Sequence, residues 1–199
     1  KVLYDPILEI NKINNLKKEQ NLEKNNHFIS VGRLTKQKNF IFLLRAFSEL
    51  IKKNKDLILY IVGEGEEKKK LINYIYQNNL QKNIFLIGYK KNIFPYLVSA
   101  KGFILTSLWE DPGFVLVEAG YTRLPIFSCD ADPGPSELIK DLYNGTTFKN
   151  NNLNNFVEKF DIYLSNINNK TLLLNNLKFL KKFTLFSHFQ QISNILYDL

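Results

Sequence analysis

Five short apolar runs recur along the chain, separated by longer segments in which apolar residues return every three or four positions. Each run is five to seven residues long and rich in Ile, Val, Leu and Phe, and none alternates cleanly between polar and apolar residues. Such runs are typical of strands buried on both faces. Strands that alternate with helices predict an α/β fold built on a doubly wound parallel sheet. The predicted strands are HFISVG (27–32), LILYIVG (57–63), NIFLIG (83–88), GFILTS (102–107) and PIFSC (125–129).

The segments between and after these runs have the periodicity of amphipathic helices. In 39–54 the apolar residues fall on one helical face, and 66–79 repeats the pattern. After a polar, loop-like stretch that follows residue 150, the chain predicts a helical tail. The tail helices are expected at 153–165, 170–182 and 184–199.

The composition is that of a globular protein and favours phosphate-bearing partners. Lys and Arg number 27 against 19 Asp and Glu, a formal net charge of +8. This excess attracts nucleic acid, anionic lipid or phosphorylated small molecules, although a solvated Lys-rich surface explains it equally well. The single cysteine, Cys129, excludes an internal disulfide and fits a reducing compartment. The first residues lack the pattern of a signal peptide, and the chain contains no Met, so we expect it to begin partway through a longer protein.

Three of the predicted strands end in glycine, at Gly32, Gly63 and Gly88. Right-handed crossovers place the carboxyl ends of parallel strands along one edge of the sheet, and ligands of open α/β sheets bind at that edge. Glycine there lets the backbone turn sharply and lets a ligand approach closely. A plain turn explains any one of these glycines, but three at successive strand ends favour a binding edge.

The segment after the fourth predicted strand has the features of a helix start. Asp111 suits an N-cap and Pro112 suits the first helical position, so the opening turns are predicted to run on from Gly113. The free N–H groups near Gly113 and Phe114 form a natural seat for a phosphate or sugar oxygen.

Charged residues flank this seat. Glu110 and Glu118 would not bind an anion, but their carboxylates suit sugar hydroxyls, which donate hydrogen bonds to them. Arg33 and Lys38 follow the first predicted strand at the same edge, where a planar fork and a point charge suit a diphosphate. Each Glu taken alone is more simply a solvated surface residue; the combination with the two cations favours a site.

Four motifs together resemble the carboxyl-terminal domain of family 4 glycosyltransferases. These are retaining enzymes with two Rossmann-like domains, in the arrangement called GT-B. The similarity covers about 28–150, and the helical tail fits it. The Glu-x7-Glu spacing alone is common by chance, whereas the four motifs in this order are specific. They are G-R-L-x3-K (32–38), I-V-G-E-G (61–65), I-x-L-x-G-Y (84–89) and Glu-x7-Glu (110–118).

The resemblance implies a role for each matching residue. Arg33, Lys38 and Glu110 match residues that take part in catalysis, and Arg33 and Lys38 form the basic pair that holds the donor diphosphate. Glu110 matches the carboxylate that contacts the donor sugar, and Glu118 the one that holds the ribose hydroxyls. The remaining matches are the glycine facing the phosphates (Gly113), the segment lining the nucleobase (Gly88 and Tyr89), and further donor-binding positions at Gly32, Gly63, Phe114 and Val115.

One departure bears on which sugar is bound. The family often has Glu-Gly-Phe-Gly where this chain has Glu110, Asp111, Pro112 and Gly113. The spacing holds, but the residues nearest the sugar differ. A later stretch, 130–139, resembles the Gly-Pro-x-Glu segment of members that use UDP-sugars, so UDP is the expected nucleotide.

The resemblance implies the donor half of a hexosyl- or N-acetylhexosaminyltransferase for cell-surface polysaccharide synthesis. Residues 1–27 would form an interdomain lead-in, 28–182 the nucleotide-sugar-binding domain and 183–199 a terminal helix. A missing amino-terminal domain would hold a glycan or lipid-linked acceptor, so the isolated chain is expected to be inactive. We expect a cytoplasmic protein, open to association with the inner face of the membrane, with no cofactor, no metal and no nucleic acid.

Two alternatives remain open at this point. A sugar-nucleotide epimerase of the two-Rossmann-domain type would share the fold and the UDP but need no acceptor. A non-catalytic nucleic-acid-binding module would need exposed aromatic residues among Lys and Arg on one face, whereas the sequence offers scattered Lys.

Overall fold

The structure, a computed structural model, describes residues 3–16 and 26–197 and contains one parallel sheet. All five predicted strands are confirmed, and each begins and ends within two residues of its predicted bounds. A sixth strand was not predicted, because a three-residue strand with two threonines gives no apolar run. The strands are β1 (His27–Val31), β2 (Ile58–Val62), β3 (Ile84–Gly88), β4 (Gly102–Leu105), β5 (Ile126–Cys129) and β6 (Thr146–Phe148).

The strand order, β3-β2-β1-β4-β5-β6, gives the sheet a switch point between β1 and β4. From β1 the chain builds outward through β2 to β3, then returns to the other side of β1 to place β4. At such a point the loops leaving the two central strands diverge to opposite faces and leave a crevice at the carboxyl edge. The doubly wound α/β prediction is therefore confirmed.

Helices cover both faces of this sheet. The apolar face predicted for the first amphipathic segment is buried: Leu43, Leu44 and Phe47 have no exposed surface. The helical tail is confirmed, and the aromatic side chains of its first helix pack on Phe127 and Phe148 of the sheet. The helices are α1 (Ile10–Leu16), α2 (Phe40–Lys53), α3 (Lys68–Gln77), α4 (Phe94–Ser99), α5 (Phe114–Tyr121), α6 (Pro135–Leu138), α7 (Leu153–Asn166), α8 (Lys170–Leu180) and α9 (Leu185–Tyr197).

The start of α5 differs from the prediction. Asp111 is not its N-cap and Pro112 is not its first residue; Gly113 is the N-cap, and the helix begins at Phe114. Gly113 has a φ of 89°, in the left-handed region, which a right-handed helix cannot include. The helix therefore cannot extend back to Pro112.

The segment before the sheet lies against the tail. The Leu8 N–H donates to the Phe183 carbonyl at 3.0 Å, and the His188 ring nitrogen Nδ1 lies 2.8 Å from the Tyr4 carbonyl. Residues 17–25, which belong to the predicted lead-in, lie outside the described residues. The division of the chain into a lead-in (1–27), a nucleotide-sugar-binding domain (28–182) and a terminal helix (183–199) stays a prediction.

Candidate functional site

The loops that leave β1 and β4 meet at the switch point of the sheet. The Leu108 N–H donates to the Gln37 carbonyl at 2.8 Å, and the Gln37 side chain donates to the Trp109 carbonyl at 3.0 Å. The Thr106 hydroxyl in turn donates to the Lys38 carbonyl at 3.2 Å. These bonds hold the two loops together and bring their charged side chains face to face.

Lys38 and Glu110 form a largely buried ion pair between these loops. The Lys38 Nζ lies 2.5 Å from Glu110 Oε1 and 2.7 Å from Oε2. The side chains are only 15% and 6% exposed, respectively. The Ser107 hydroxyl donates to the same Oε1 at 2.5 Å. Burying a carboxylate is costly unless it is paired and hydrogen-bonded, and this one is both.

Arg33 does not join this pair. Its side chain is exposed, and it forms no ion pair among the residues that the structure describes. A guanidinium offers five N–H donors that match phosphate geometry, so its fork stays available to an anionic ligand. Of the three residues predicted to be catalytic, the structure brings Lys38 and Glu110 into contact and leaves Arg33 at the exposed end of the same β1 loop.

The strand-end glycines lie side by side at this edge. The Gly32 N–H donates to the Val62 carbonyl at 3.0 Å, and the Gly63 N–H donates to the Gly88 carbonyl at 2.9 Å. At Gly63, where φ is 149°, an added Cβ would collide with the Gly32 carbonyl oxygen. Close approach of the neighbouring loops therefore suffices to explain a glycine there. Beyond Gly88 the side chain of Tyr89 is 71% exposed, so it is not a core residue.

The start of α5 opens next to the ion pair. The N-cap is Gly113, which makes no side-chain cap hydrogen bond, and the first turn of the helix presents the backbone N–H groups of Gly113, Phe114 and Val115. A Cβ added to Gly113 would lie 3.3 Å from Glu110 Cβ, which shows how closely this helix start approaches the carboxylate. The helix start and Glu110 are thus neighbours, whereas their roles toward phosphate and sugar stay predictions.

Glu118 lies on the second turn of α5 and is half-buried. Burial raises the pKa of its carboxyl from 4.5 to about 7. Within the described residues it forms no ion pair that would offset this effect. A hydroxyl-bearing ligand that donates hydrogen bonds to Glu118 would supply the missing stabilisation of its charged form.

The loop after β5 contacts the backbone of Glu110. The Glu110 N–H donates to the Pro133 carbonyl at 3.3 Å, and Gly134 packs so tightly that an added Cβ would lie 2.6 Å from the Glu110 carbonyl oxygen. Pro133 and Gly134 belong to the stretch that resembles the Gly-Pro-x-Glu segment. Its role here is to fix the backbone beneath the ion pair.

Two residues of this region were not among the predicted site residues. Ser107 ends the fourth predicted strand, and only its three-residue spacing to Glu110 indicates that the two side chains can meet. Asn150 follows β6; its side-chain N–H donates to the Leu108 carbonyl at 2.9 Å, and its backbone N–H donates to Asp130 at 2.7 Å. No sequence pattern near Asn150 indicates this tie.

Other candidate features lie apart from the site or are inert. Cys129 is fully buried, as predicted, and burial raises the pKa of its thiol to about 12. Across 3–16 and 26–197, no cluster of three His, Cys, Asp or Glu side chains could hold a metal ion. Over the same residues, no helix combines the length and apolar character needed to cross a membrane.

The buried cation–carboxylate pair and the uncapped helix start thus lie at the switch point of a doubly wound sheet, where ligands of open α/β proteins bind. The family model of glycosyl transferases group 1 matches residues 11–176. The chain belongs to that family, and its similarity to GT-B glycosyltransferases, expected from the motifs, is confirmed.

The relatives are glycosyltransferases. The chain is 38% identical over 140 residues to an uncharacterized glycosyltransferase of Methanocaldococcus jannaschii, covering 67% of this chain and 34% of that protein. It is 32% identical over 161 residues to a poly(ribitol-phosphate) alpha-N-acetylglucosaminyltransferase of Staphylococcus aureus, covering 81% of this chain and 32% of that protein. The chain thus spans about a third of the length of these relatives, and neither match supports an epimerase or a nucleic-acid-binding module.

A solved structure gives the same result. A variant of the S. aureus protein TarM, in complex with fondaparinux, alpha-GlcNAc-glycerol and UDP, superposes with a TM-score of 0.73 at 27% identity. The match covers 89% of this chain and 37% of that one. The fold is therefore that of part of a GT-B glycosyltransferase.

Proposed function

We propose that this chain is the donor-binding part of a retaining glycosyltransferase that uses a UDP-sugar. The observation that supports this most directly is the Lys38–Glu110 pair, which sits beside the uncapped start of α5. A cation and helix N–H groups suit a diphosphate, and a carboxylate suits the hydroxyls of the attached sugar. TarM, to which the chain is similar, was solved with UDP.

In this proposal the donor lies across the carboxyl edge of the sheet. Arg33, Lys38 and the N–H groups at Gly113 hold the two phosphates, and Glu110 faces the sugar. The ribose hydroxyls donate to Glu118. The remaining contacts come from the segment that would line the nucleobase (Gly88 and Tyr89) and from the backbone at Gly32, Gly63, Phe114 and Val115.

The chemistry that this arrangement supplies is electrostatic. As the bond between sugar and diphosphate breaks, negative charge grows on the leaving phosphate, where Arg33, Lys38 and the helix start stabilise it. Glu110 contributes by fixing the orientation of the sugar. The proposal includes no protein nucleophile, and the nucleotide-sugar is a substrate, so no cofactor takes part. The two cations can neutralise the phosphates without a metal.

The acceptor belongs to a part of the enzyme that this chain does not contain. We propose that a second, amino-terminal domain holds a glycan or lipid-linked acceptor for cell-surface polysaccharide synthesis. The reaction would take place in the cytoplasm or at the inner face of the membrane, and this chain alone would bind the donor but transfer nothing. Transfer of a sugar by these 199 residues alone would contradict this division of labour.

The proposal is tested by calorimetry with UDP and uridine on matched variants. Arg33→Ala removes a charge-assisted contact to phosphate, so UDP affinity should fall about tenfold or more while uridine affinity stays unchanged. Lys36→Ala is the control, since Lys36 is an exposed cation of the same loop outside the predicted contacts. Equal losses for UDP and uridine would show that Arg33 does not face the phosphates.

A further inference from the structure

We infer that Ser107 is a positioning residue of the donor site, whose hydroxyl fixes the orientation in which Glu110 is presented to the sugar. Ser107 has no exposed surface and donates to Glu110 Oε1 at 2.5 Å. The inference rests on the proposed function, because it assigns Ser107 a part in recognising the sugar of the donor.

The need for such a residue follows from the chemistry of the ion pair. Lys38 is a point charge on a flexible stem, and it approaches both carboxylate oxygens almost equally, at 2.5 and 2.7 Å. An ammonium held in this way attracts the carboxylate but does not select one rotation of it. The Ser107 hydroxyl reaches Oε1 alone and thereby distinguishes the two oxygens.

The distinction determines which oxygen can serve the sugar. Among the described residues Oε1 accepts from both Ser107 and Lys38, whereas Oε2 accepts from Lys38 only. A carboxylate oxygen has two acceptor sites, so Oε2 keeps one for a sugar hydroxyl. Without the Ser107 hydroxyl the carboxylate could rotate, and that acceptor site would lose its fixed direction.

Ser107 is itself held on its backbone side. The Cys129 thiol donates to the Ser107 carbonyl at 3.0 Å, from the neighbouring strand β5. Next to it, Thr106 donates to the Lys38 carbonyl. Two adjacent residues after β4 therefore hold the two members of the ion pair. Thr106 bonds to the backbone of Lys38, and Ser107 bonds to the side chain of Glu110.

Binding measurements on the full 199-residue chain give the first test. The probes are UDP and a panel of UDP-glucose, UDP-galactose and their N-acetyl forms, measured by calorimetry. Ser107→Ala should change UDP affinity less than twofold and remove most of the additional affinity that the preferred sugar gives. Ser107→Thr, which keeps a hydroxyl, should restore that increment.

Ser99→Ala is the matched control, because Ser99 is also a buried serine, and its hydroxyl donates to the Tyr96 carbonyl before β4 rather than to Glu110. It should leave the ratio of UDP-sugar to UDP affinity unchanged. If Ser107→Ala and Ser99→Ala lower that ratio equally, or if Ser107→Ala weakens UDP as much as the UDP-sugar, the positioning role is wrong.

A double-mutant cycle of Ser107 and Glu110, measured by unfolding without ligand, separates this inference from the proposed function. In urea unfolding, Ser107→Ala should lower the folding equilibrium constant about tenfold when Glu110 is present, the effect of losing a hydrogen bond to a charged group. In a Glu110→Leu background the same change should cost less than threefold. If Glu110→Leu does not fold, Glu110→Gln replaces it, where the bond becomes neutral and its loss should cost about half as much in free energy.

Equal effects of Ser107→Ala in both backgrounds would show that the hydroxyl does not act through Glu110. A chain that binds none of the UDP-sugars would overturn the proposed function, while the cycle would still decide the role of Ser107.

Discussion

Replacing Glu118 with Gln should stabilise the protein without ligand and weaken its binding of UDP. Burial raises the pKa of this carboxyl from 4.5 to about 7 in the folded chain, so its charged form is disfavoured there. Gln has nearly the same shape and cannot ionise. The variant therefore removes the cost of the charge and also the carboxylate that we assign to the ribose.

The sign of the stability effect follows from proton linkage. Below pH 4 Glu118 is protonated in both the folded and the unfolded state, so ionisation contributes nothing. Between the ordinary value of 4.5 and about 7 the unfolded chain loses this proton first, so native stability falls as the pH rises and levels off above 7. The full shift corresponds to about 3 kcal/mol, and partial contact with solvent lowers that figure.

Urea unfolding at pH 4 and pH 8 measures this difference. Glu118→Gln should match the parent chain at pH 4 and exceed its free energy of unfolding by about 2 kcal/mol at pH 8. Glu158→Gln removes an exposed carboxylate on α7 and should show no such gain. Equal stabilities of Glu118→Gln and the parent at pH 8 would refute the argument from burial.

UDP affinity should move in the opposite direction. Because charge-assisted hydrogen bonds from the ribose are lost, binding at pH 8 should weaken about tenfold or more. In the parent chain affinity should also rise between pH 6 and 8, as the carboxylate form becomes available. The variant corrects for titration of the UDP phosphate itself, since it lacks only the Glu118 contribution. A variant that binds UDP as tightly as the parent would place the ribose elsewhere.

Two further changes test the packing of the site. Lys38→Met leaves Glu110 as a buried charge without its cation and should lower the free energy of unfolding in urea by about 3 kcal/mol. Combining it with Glu110→Leu should recover most of that loss. A double variant as unstable as the single one would contradict the pairing. Gly63→Ala should lower stability by about 2–4 kcal/mol in urea unfolding, because its Cβ would overlap the Gly32 carbonyl oxygen. Stability equal to the parent would show that this backbone approach is not needed.

The sequence predicted the sheet well because burial on both faces makes its strands apolar over most of their length. β6 escaped because its three residues, two of them threonines, carry no such pattern. The start of α5 was misplaced for a different reason: Asp111 and Pro112 are good local helix openers, but Gly113 takes a left-handed φ beside Glu110. Local preference indicated one start, and the tertiary fold imposed another.

The site was predictable as a set of residue types but not as a set of contacts. The motifs indicated Lys38 and Glu110, yet assigned one to phosphate and the other to sugar. Their mutual pairing depends on how two loops meet across the switch point, which spacing does not encode. The same holds for Asn150, whose tie to the Leu108 carbonyl joins β6 to a loop 42 residues earlier.

The long separation between the members of the ion pair has a consequence for folding. Lys38 and Glu110 are 72 residues apart, on loops that leave strands belonging to opposite halves of the sheet. Contacts of this span form only after a large loop has closed, so they arise late and slow the search. A chain with only β1, β2 and β3 in place would have one half of the binding edge and no carboxylate facing Lys38. If the donor binds as we propose, it selects molecules in which both halves have joined. A bound nucleotide would then stabilise the whole sheet by mass action, because neither half could hold it alone.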